Sequence, residues 1–297
     1  MAERSNAGIQ LTFALIALVA AVFYSGKGQF LLNKLNQIAH GKHGCAPITD
    51  IGQVTLHYFG SRGKAEGIRL MMEDNGVLYA ETNYTKEDWP TVKQKGIQTG
   101  LFTFGQVPAI TTTTGLQLVQ SRAIMHHLGR SLGLDCDCQD LHTCEMLVQG
   151  ADDLKSKMGS VMYSDSFSSA TRDAHTKNTV HVWLPFFERL APTPDKEEPE
   201  EDTREKSGDT DKSDKSKETK PLYWVGDRIT WVDYVIFELL DAHVEFGRLD
   251  FQGEGTKVDI LHKYPNLEAF YKGFASRPKL AAYLKAQHRV PFWKYKK

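Results

Sequence analysis

The stretch QVTLHYFGSRGKAEGIRLMMEDNG, running from Gln53 to Gly76, decides the fold. Gln53 to Phe59 has the β-branched and aromatic content of a strand, and Gly60-Ser61-Arg62-Gly63 supplies a turn directly after it. From Lys64 onward, Ala65, Ile68, Met71 and Met72 fall on one face of a helix, and Asn75-Gly76 is a C-terminal stop. A strand that turns tightly into an amphipathic helix is the opening of an α/β unit.

Working outward, Leu78 to Tyr84 predicts a second strand, although polar residues interrupt it, and Trp89 to Lys95 reads as a short helix or a loop. Gly105-Gln106-Val107-Pro108-Ala109-Ile110 reads as a strand entered through a proline. Thr111 to Thr114, Gly115 and Leu116 to Val119 form a hairpin pattern, because threonine favours strands and the glycine sits where the chain reverses. Gln120-Ser121 then precedes the helical positions Ala123, Ile124, His127 and Leu128. This order is that of a thioredoxin-like domain over residues 51–133. From about Asp140 the strand signals nearly vanish, and periodic segments at 141–163, 175–190, 230–246 and 265–286 predict an all-α domain over 140–290. The fold class is therefore α/β followed by all-α. Residues 191–220 (APTPDKEEPEEDTREKSGDTDKSDKSKETK) lack aromatic and aliphatic side chains apart from Ala191 and cannot bury enough surface to offset their ordering entropy. They predict a disordered charged insert, with a binding site for a regulatory partner as the alternative.

The 297 residues are 41% hydrophobic and 25% charged, with a formal net charge of -1, an ordinary globular average. Lys and Arg are dispersed and form no basic stripe, which argues against nucleic acid as a partner. Cys45, Cys136, Cys138 and Cys144 lack the paired spacing of a zinc site and are too few for a secreted disulfide framework, so free thiols in reducing surroundings are expected. His126 and His127 are adjacent on a helix and point apart, so no metal site is expected.

The N-terminus differs. Gly8 to Tyr24 is almost wholly apolar, close to the ~17–25 residues a spanning helix requires. Residues 1–27 predict a membrane anchor and 28–50 a tether. Lys27, Lys34 and Lys42 follow the apolar run while only Arg4, offset by Glu3, precedes it, so the positive-inside tendency places the folded part on the cytosolic side of a single-pass anchor. A signal peptide cleaved near Ala20-Ala21, leaving a soluble protein, and a helix buried against the folded part are the alternatives.

Four segments of the first part, and one of the helical part, resemble one family. Tyr58-Phe59-Gly60-Ser61-Arg62-Gly63-Lys64-Ala65-Glu66 is similar to the Tyr-Phe-x-x-Arg-Gly-Arg-Ala-Glu opening of Tyr-type cytosolic glutathione transferases of the pi, mu, alpha and sigma group. Asp88-Trp89-Pro90-x-x-Lys93 resembles the sigma-type second-helix region, Gly105-Gln106-Val107-Pro108 the loop holding the family's cis-proline, and Gln120-Ser121-Arg122-Ala123-Ile124 its glutathione-binding signature. Gly226 to Tyr234 resembles the family's N-capping box, with Thr230 and Asp233 as the reciprocal pair and Ile229 and Tyr234 as the staple. The resemblance spans roughly residues 53–290 without the charged insert.

The resemblance implies glutathione as co-substrate, a small hydrophobic electrophile as second substrate, and a homodimer. A free thiol with a pKa of about 8.5 is only a few per cent ionised at neutral pH, so the site must favour the anion. Tyr58, at a strand end facing a helix N-terminus, is the implied donor to the sulfur; read alone it is a core tyrosine. Lys64, Trp89 and Lys93 would hold the glycine end of the tripeptide, with Lys95 competing for Lys93's part. Lys64 lacks the bidentate fork of the family's arginine. The backbone of Val107, before Pro108, would pair with the cysteinyl amide, and Gln120 and Ser121 would hold the γ-glutamyl end, although alone they read as a helix cap. Asp153 matches an aspartate that reaches the partner subunit's glutathione, with Asp152 as competitor. Phe59 and Tyr163 would line the electrophile pocket beside Met158 and Met162. Glutathione-dependent isomerisation or peroxide reduction of the prostaglandin-synthase type, and a non-catalytic scaffold, are the alternative functions.

Overall fold

Val54, Leu56 and Tyr58 alternate along strand β1 (Val54–Phe59), and all three are buried on the face that packs beneath the helix following them. That helix, α1 (Glu66–Asn75), is entered through a 3-10 turn at Gly63–Ala65 and ends on Gly76 with φ +69°, the left-handed cap expected from Asn75-Gly76. A computed structural model describes residues 51–194, 221–251, 253 and 257–292. Strand β2 (Tyr79–Tyr84), helix α2 (Trp89–Gln98), strands β3 (Ala109–Thr112) and β4 (Gln117–Val119) and helix α3 (Ser121–Ser131) complete the first part.

The sheet order is β2-β1-β3-β4, with β1 parallel to β2 and antiparallel to β3. The hairpin β3-β4 turns at Gly115 as its sequence predicts. The strand expected to end at Ile110 instead continues through Thr111 into that hairpin, because Ala109 to Thr112 pair with β1 on one side while Ala109 to Thr111 pair with β4 on the other. The region from Trp89 is a helix, and it covers the second face of the sheet with an aromatic cluster of Trp89, Tyr84 and Phe102 against Ala109 and Val119. His57 projects to that face and is bonded by Tyr84 Oη at 2.9 Å and Thr111 Oγ1 at 3.0 Å.

The second part is helical: α4 (Leu141–Met162), α5 (Ser169–His175), a π-helical turn (Thr176–Val180), α6 (His181–Leu190), α7 (Trp231–Arg248), α8 (Pro265–Ala275) and α9 (Pro278–Lys285). Every residue from Trp231 to Val244 is buried, so α7 is the axis around which the other helices pack. It starts as its sequence predicts. The Asp233 carboxylate accepts from the Thr230 amide at 2.7 Å and also from the Trp224 amide at 2.9 Å. Burial nevertheless pushes that carboxyl up to about 6.

Polar ties join the two parts. Asp74, at the end of α1, accepts from Tyr234 Oη of α7 and from Arg277 Nε before α9, both at 2.7 Å. Arg289 bridges Glu66 of α1 (2.9 Å) and Asp241 of α7 (2.5 Å). The chain then crosses back over the Tyr58 loop, where the Arg62 amide donates to the Pro291 carbonyl at 3.1 Å and Phe292 packs with Met158, Met162 and Phe246.

The expectation of free thiols fails for two of the cysteines. Cys136 and Cys144 form a disulfide across a Cα separation of 6.7 Å, while Cys138 is free and exposed. The linker after α3 folds through a 3-10 turn at Cys138–Asp140, which returns Cys136 to the first turn of α4, and spacing alone does not reveal that reversal. The inference of reducing surroundings loses its premise. Residues 1–50, with the expected anchor and tether, lie outside the described residues, as do 195–220 of the charged insert. Among the described residues no helix is long and apolar enough to cross a membrane.

Candidate active site

Strand polarity assembles the site. β3 runs against β1 and β4 runs against β3, so the C-terminal ends of β1 and β4 and the N-terminal end of β3 meet at one edge of the sheet. That edge carries Tyr58, the Val107–Pro108 pair and Gln120-Ser121. The Val107–Pro108 peptide bond is cis. Gln120 has φ 74° and ψ 114°, making it the one non-glycine residue with positive φ among the described residues, and Ser121 opens α3 immediately after it. Backbone held in so sparsely populated a region costs on the order of 1–3 kcal/mol and concentrates at functional sites.

Tyr58 is 8% exposed, and its hydroxyl accepts the Lys64 backbone N–H at 2.9 Å. The Arg69 guanidinium lies 5.9 Å from its ring centroid, and Phe59 meets it edge-on at 5.5 Å. Burial pushes the phenol up to about 12, with the Lys64 amide opposing, so Tyr58 is protonated at neutral pH. Gly63 makes the close approach possible. Its φ is +42°, and a Cβ there would lie 2.4 Å from the Tyr58 hydroxyl.

The remaining predicted residues divide by environment. Trp89, the first residue of α2, packs against Phe59 at 5.3 Å, which brings α2 to the Tyr58 edge. Lys93 is half-buried and lies over Gly105, whose added Cβ would meet Lys93 Cε at 2.8 Å, whereas Lys95 is exposed. The Lys64 side chain is exposed; its contribution to the observed geometry comes from its main chain. Asp152 is taken by Arg122 of α3, bonded from Nε at 3.0 Å, while neighbouring Asp153 is exposed with no polar partner among the described residues. Tyr163 caps α4 with 67% of its surface exposed, and its ionisation would oppose that of Tyr58. Met158 and Met162 are buried with Phe246 and Phe292 and serve as core. His126 is bonded to Asp135 at 3.2 Å and stacked on Trp231.

Sequence reasoning missed Arg69, Lys155, Glu238 and the C-terminal residues Arg289 to Phe292. Lys155 of α4 donates to the Gly63 carbonyl at 3.2 Å and pairs with Glu238 of α7. Those contacts join positions 92 and 83 residues apart, and no local motif marks them.

The chain matches the model of the glutathione S-transferase N-terminal domain over residues 54–130 and that of the glutathione S-transferase C-terminal domain over residues 152–287. It is 32% identical over 230 residues to glutathione S-transferase P of Caenorhabditis elegans, covering 77% of this chain and 90% of that relative. With glutathione S-transferase P of Homo sapiens it shares 28% identity over 237 residues, 80% of this chain and 93% of that one. The solved pi-class glutathione S-transferase of Onchocerca volvulus superposes with a TM-score of 0.62 at 26% identity, covering 81% of this chain and 97% of that one. These relatives overturn the membrane-anchored, cytosol-facing placement and leave the membrane as partner without support. With two domain models in tandem and a relative covered over nine-tenths of its length, the chain belongs to the glutathione S-transferase family.

Proposed function

We propose that this chain conjugates glutathione to small hydrophobic electrophiles, with the Tyr58 hydroxyl holding the glutathione sulfur as its thiolate. One observation carries the reading. At the sheet edge the buried phenol accepts the Lys64 N–H, which leaves its own hydrogen to be donated elsewhere. A hydrogen bond to a charged acceptor is worth about 1.5–3 kcal/mol, which lowers a thiol pKa by roughly one to two units and makes the anion abundant near pH 7. The anion then attacks the electrophile, forming the sulfur bond as the leaving group departs or the double bond is saturated, and proximity of the two bound substrates supplies the rest.

The tripeptide would lie along the same edge. The Val107 backbone before cis-Pro108 would pair with the cysteinyl amide, Gln120 and Ser121 with the γ-glutamyl end, and Lys64, Trp89 and Lys93 with the glycine carboxylate. The engagement of Asp152 by Arg122 favours Asp153 as the carboxylate offered to a partner subunit's glutathione, in a homodimer. Phe59 and exposed Tyr163 would face the electrophile.

The test uses the full chain on immobilised glutathione, followed by a chromogenic conjugation assay. Retention with turnover is expected. Retention without turnover would favour a binding module, and failure to be retained would remove glutathione from the account.

A further inference from the structure

The peptide group between Gly63 and Lys64 is held at both ends. Its N–H donates to the Tyr58 hydroxyl at 2.9 Å, and its carbonyl accepts from Lys155 Nζ at 3.2 Å. In a trans peptide the two groups point in opposite directions, so the ammonium and the phenol sit on opposite sides of one polarisable unit. Lys155 is itself fixed by Glu238 at 2.5 Å, with 17% and 4% of the two side chains exposed. The second oxygen of Glu238 is buried with no hydrogen bond among the described residues. A buried carboxylate with half its acceptor capacity unused contributes little to stability compared with an apolar replacement, which points to a different use of the pair.

We propose that Lys155 is a positioning residue that, anchored by Glu238, orients and polarises the Gly63–Lys64 peptide so that its N–H holds the Tyr58 hydroxyl in donating geometry toward the glutathione sulfur. This rests on the assignment of Tyr58 above. A cation on the carbonyl draws electron density toward oxygen and makes the N–H of the same amide a stronger donor; such chains strengthen each bond by roughly 10–30%. A stronger donor to the phenolic oxygen makes the phenolic hydrogen a better donor in turn. The helical part of the molecule thereby sets the chemistry of a tyrosine on the sheet, through contacts 92 and 83 residues apart. The other charged or titratable groups facing Tyr58 are Arg69 from α1 and Tyr163 at the end of α4, while His243 of α7 lies near Lys155. Glu238 works against the phenol's ionisation, while the Lys155 ammonium is held between the Glu238 carboxylate and the Gly63 carbonyl.

The experiment compares full-length wild type with Tyr58→Phe, Lys155→Met, Lys155→Arg, Glu238→Gln and the double variant Tyr58→Phe/Lys155→Met. The pKa of bound glutathione is read from its ultraviolet thiolate absorbance, with kcat and the KM for glutathione measured separately and folding followed by thermal melting. Lys155→Met should raise the thiol pKa by about half a unit to one unit with little change in KM. Lys155→Arg should restore most of the difference. Glu238→Gln should lower the thiol pKa by removing the opposing charge, and in the Tyr58→Phe background Lys155→Met should add nothing. A wild-type thiol pKa in folded Lys155→Met, or an increment that persists without the Tyr58 hydroxyl, would overturn the relay while leaving Tyr58 in place. A rise in Glu238→Gln matching that of Lys155→Met would reduce the pair to a brace and also overturn it. A wild-type thiol pKa in Tyr58→Phe itself would remove the tyrosine, and the relay with it. Should Lys155→Met fail to fold, Lys155→Arg and Glu238→Gln decide the matter, since a rise on Glu238→Gln sinks the proposal alone.

Discussion

The backbone N–H of Lys64 donates to the hydroxyl of Tyr58 across 2.9 Å, so the Lys64 main chain fixes the phenol while its side chain stands exposed beside it. The phenolic hydrogen is not used in that bond. With burial holding the phenol near 12, ionisation seen near neutrality in a rate profile belongs to the bound thiol. Tyr58→Phe should therefore lower conjugation by roughly tenfold or more, about 1.4 kcal/mol in activation free energy, and move the acid limb of the profile to higher pH while glutathione affinity stays similar. Unchanged turnover in steady-state kinetics would take Tyr58 out of the mechanism.

Gly63 is the second determinant of that hydrogen bond. Gly63→Ala places a methyl group 2.4 Å from the Tyr58 hydroxyl at a backbone φ of +42°. The variant is expected to lose about 1–3 kcal/mol of stability and, through displacement of the phenol, at least tenfold in kcat. Denaturant unfolding and kinetics measured together check both, and wild-type kcat would show that the ring tolerates the shift.

Gln120 separates strain from binding. Gln120→Gly relieves the backbone at φ 74° and should stabilise the fold by about 1 kcal/mol while weakening glutathione binding. Gln120→Ala should weaken binding without that gain. Melting temperatures and KM for glutathione distinguish them; equal melting of the two variants would mean that the conformation carries no strain.

Arg289 neutralises two buried carboxylates, with Glu66 and Asp241 side chains 2% and 6% exposed. Removing the shared cation leaves Glu66 to the Arg69 guanidinium and Asp241 to that of Arg62, each at 3.5 Å, so the loss falls at or below the about 3–5 kcal/mol of a fully unpaired buried charge. Arg289→Leu should lose on that order of stability in urea at neutral pH, and less in mild acid. Burial already pushes the Glu66 carboxyl up, chiefly against the pull of Arg289, so without that cation Glu66 takes up its proton more readily. A loss independent of pH would contradict this account.

His243 makes stability pH-dependent. It is fully buried, its Nδ1 is bonded to the Leu239 carbonyl at 2.7 Å, and desolvation holds its pKa down to about 4. The unfolded chain binds a proton at His243 below about 6.5 and the native protein does not until about 4, so the contribution is complete above 6.5 and lost as the pH falls through that window. By pH 5 the loss from this residue is about 2 kcal/mol. Unfolding curves at a series of pH values should show His243→Leu less sensitive by one proton; identical slopes would assign the acid sensitivity elsewhere.

Much of the fold is written locally. The β-branched run before Phe59, the Asn75-Gly76 stop, the reversal at Gly115 and the Thr230–Asp233 cap each depend on neighbours within a few residues, so pattern and turn chemistry identify them. Tyr58, Pro108, Gln120 and Ser121 stand out only through the resemblance of their short strings to one family, and strand order is what brings them to one sheet edge. Tertiary structure decided what local pattern cannot carry. It joined Cys136 to Cys144 through a turn, assigned Asp152 to Arg122 while leaving Asp153 exposed, laid the C-terminal residues over the Arg62 loop, and set Lys155 and Glu238 behind the Tyr58 peptide. Strand order and helix packing bring together charges from distant parts of the chain, and their pairing follows from where the backbone places them, a quantity that hydrophobic period and composition do not encode.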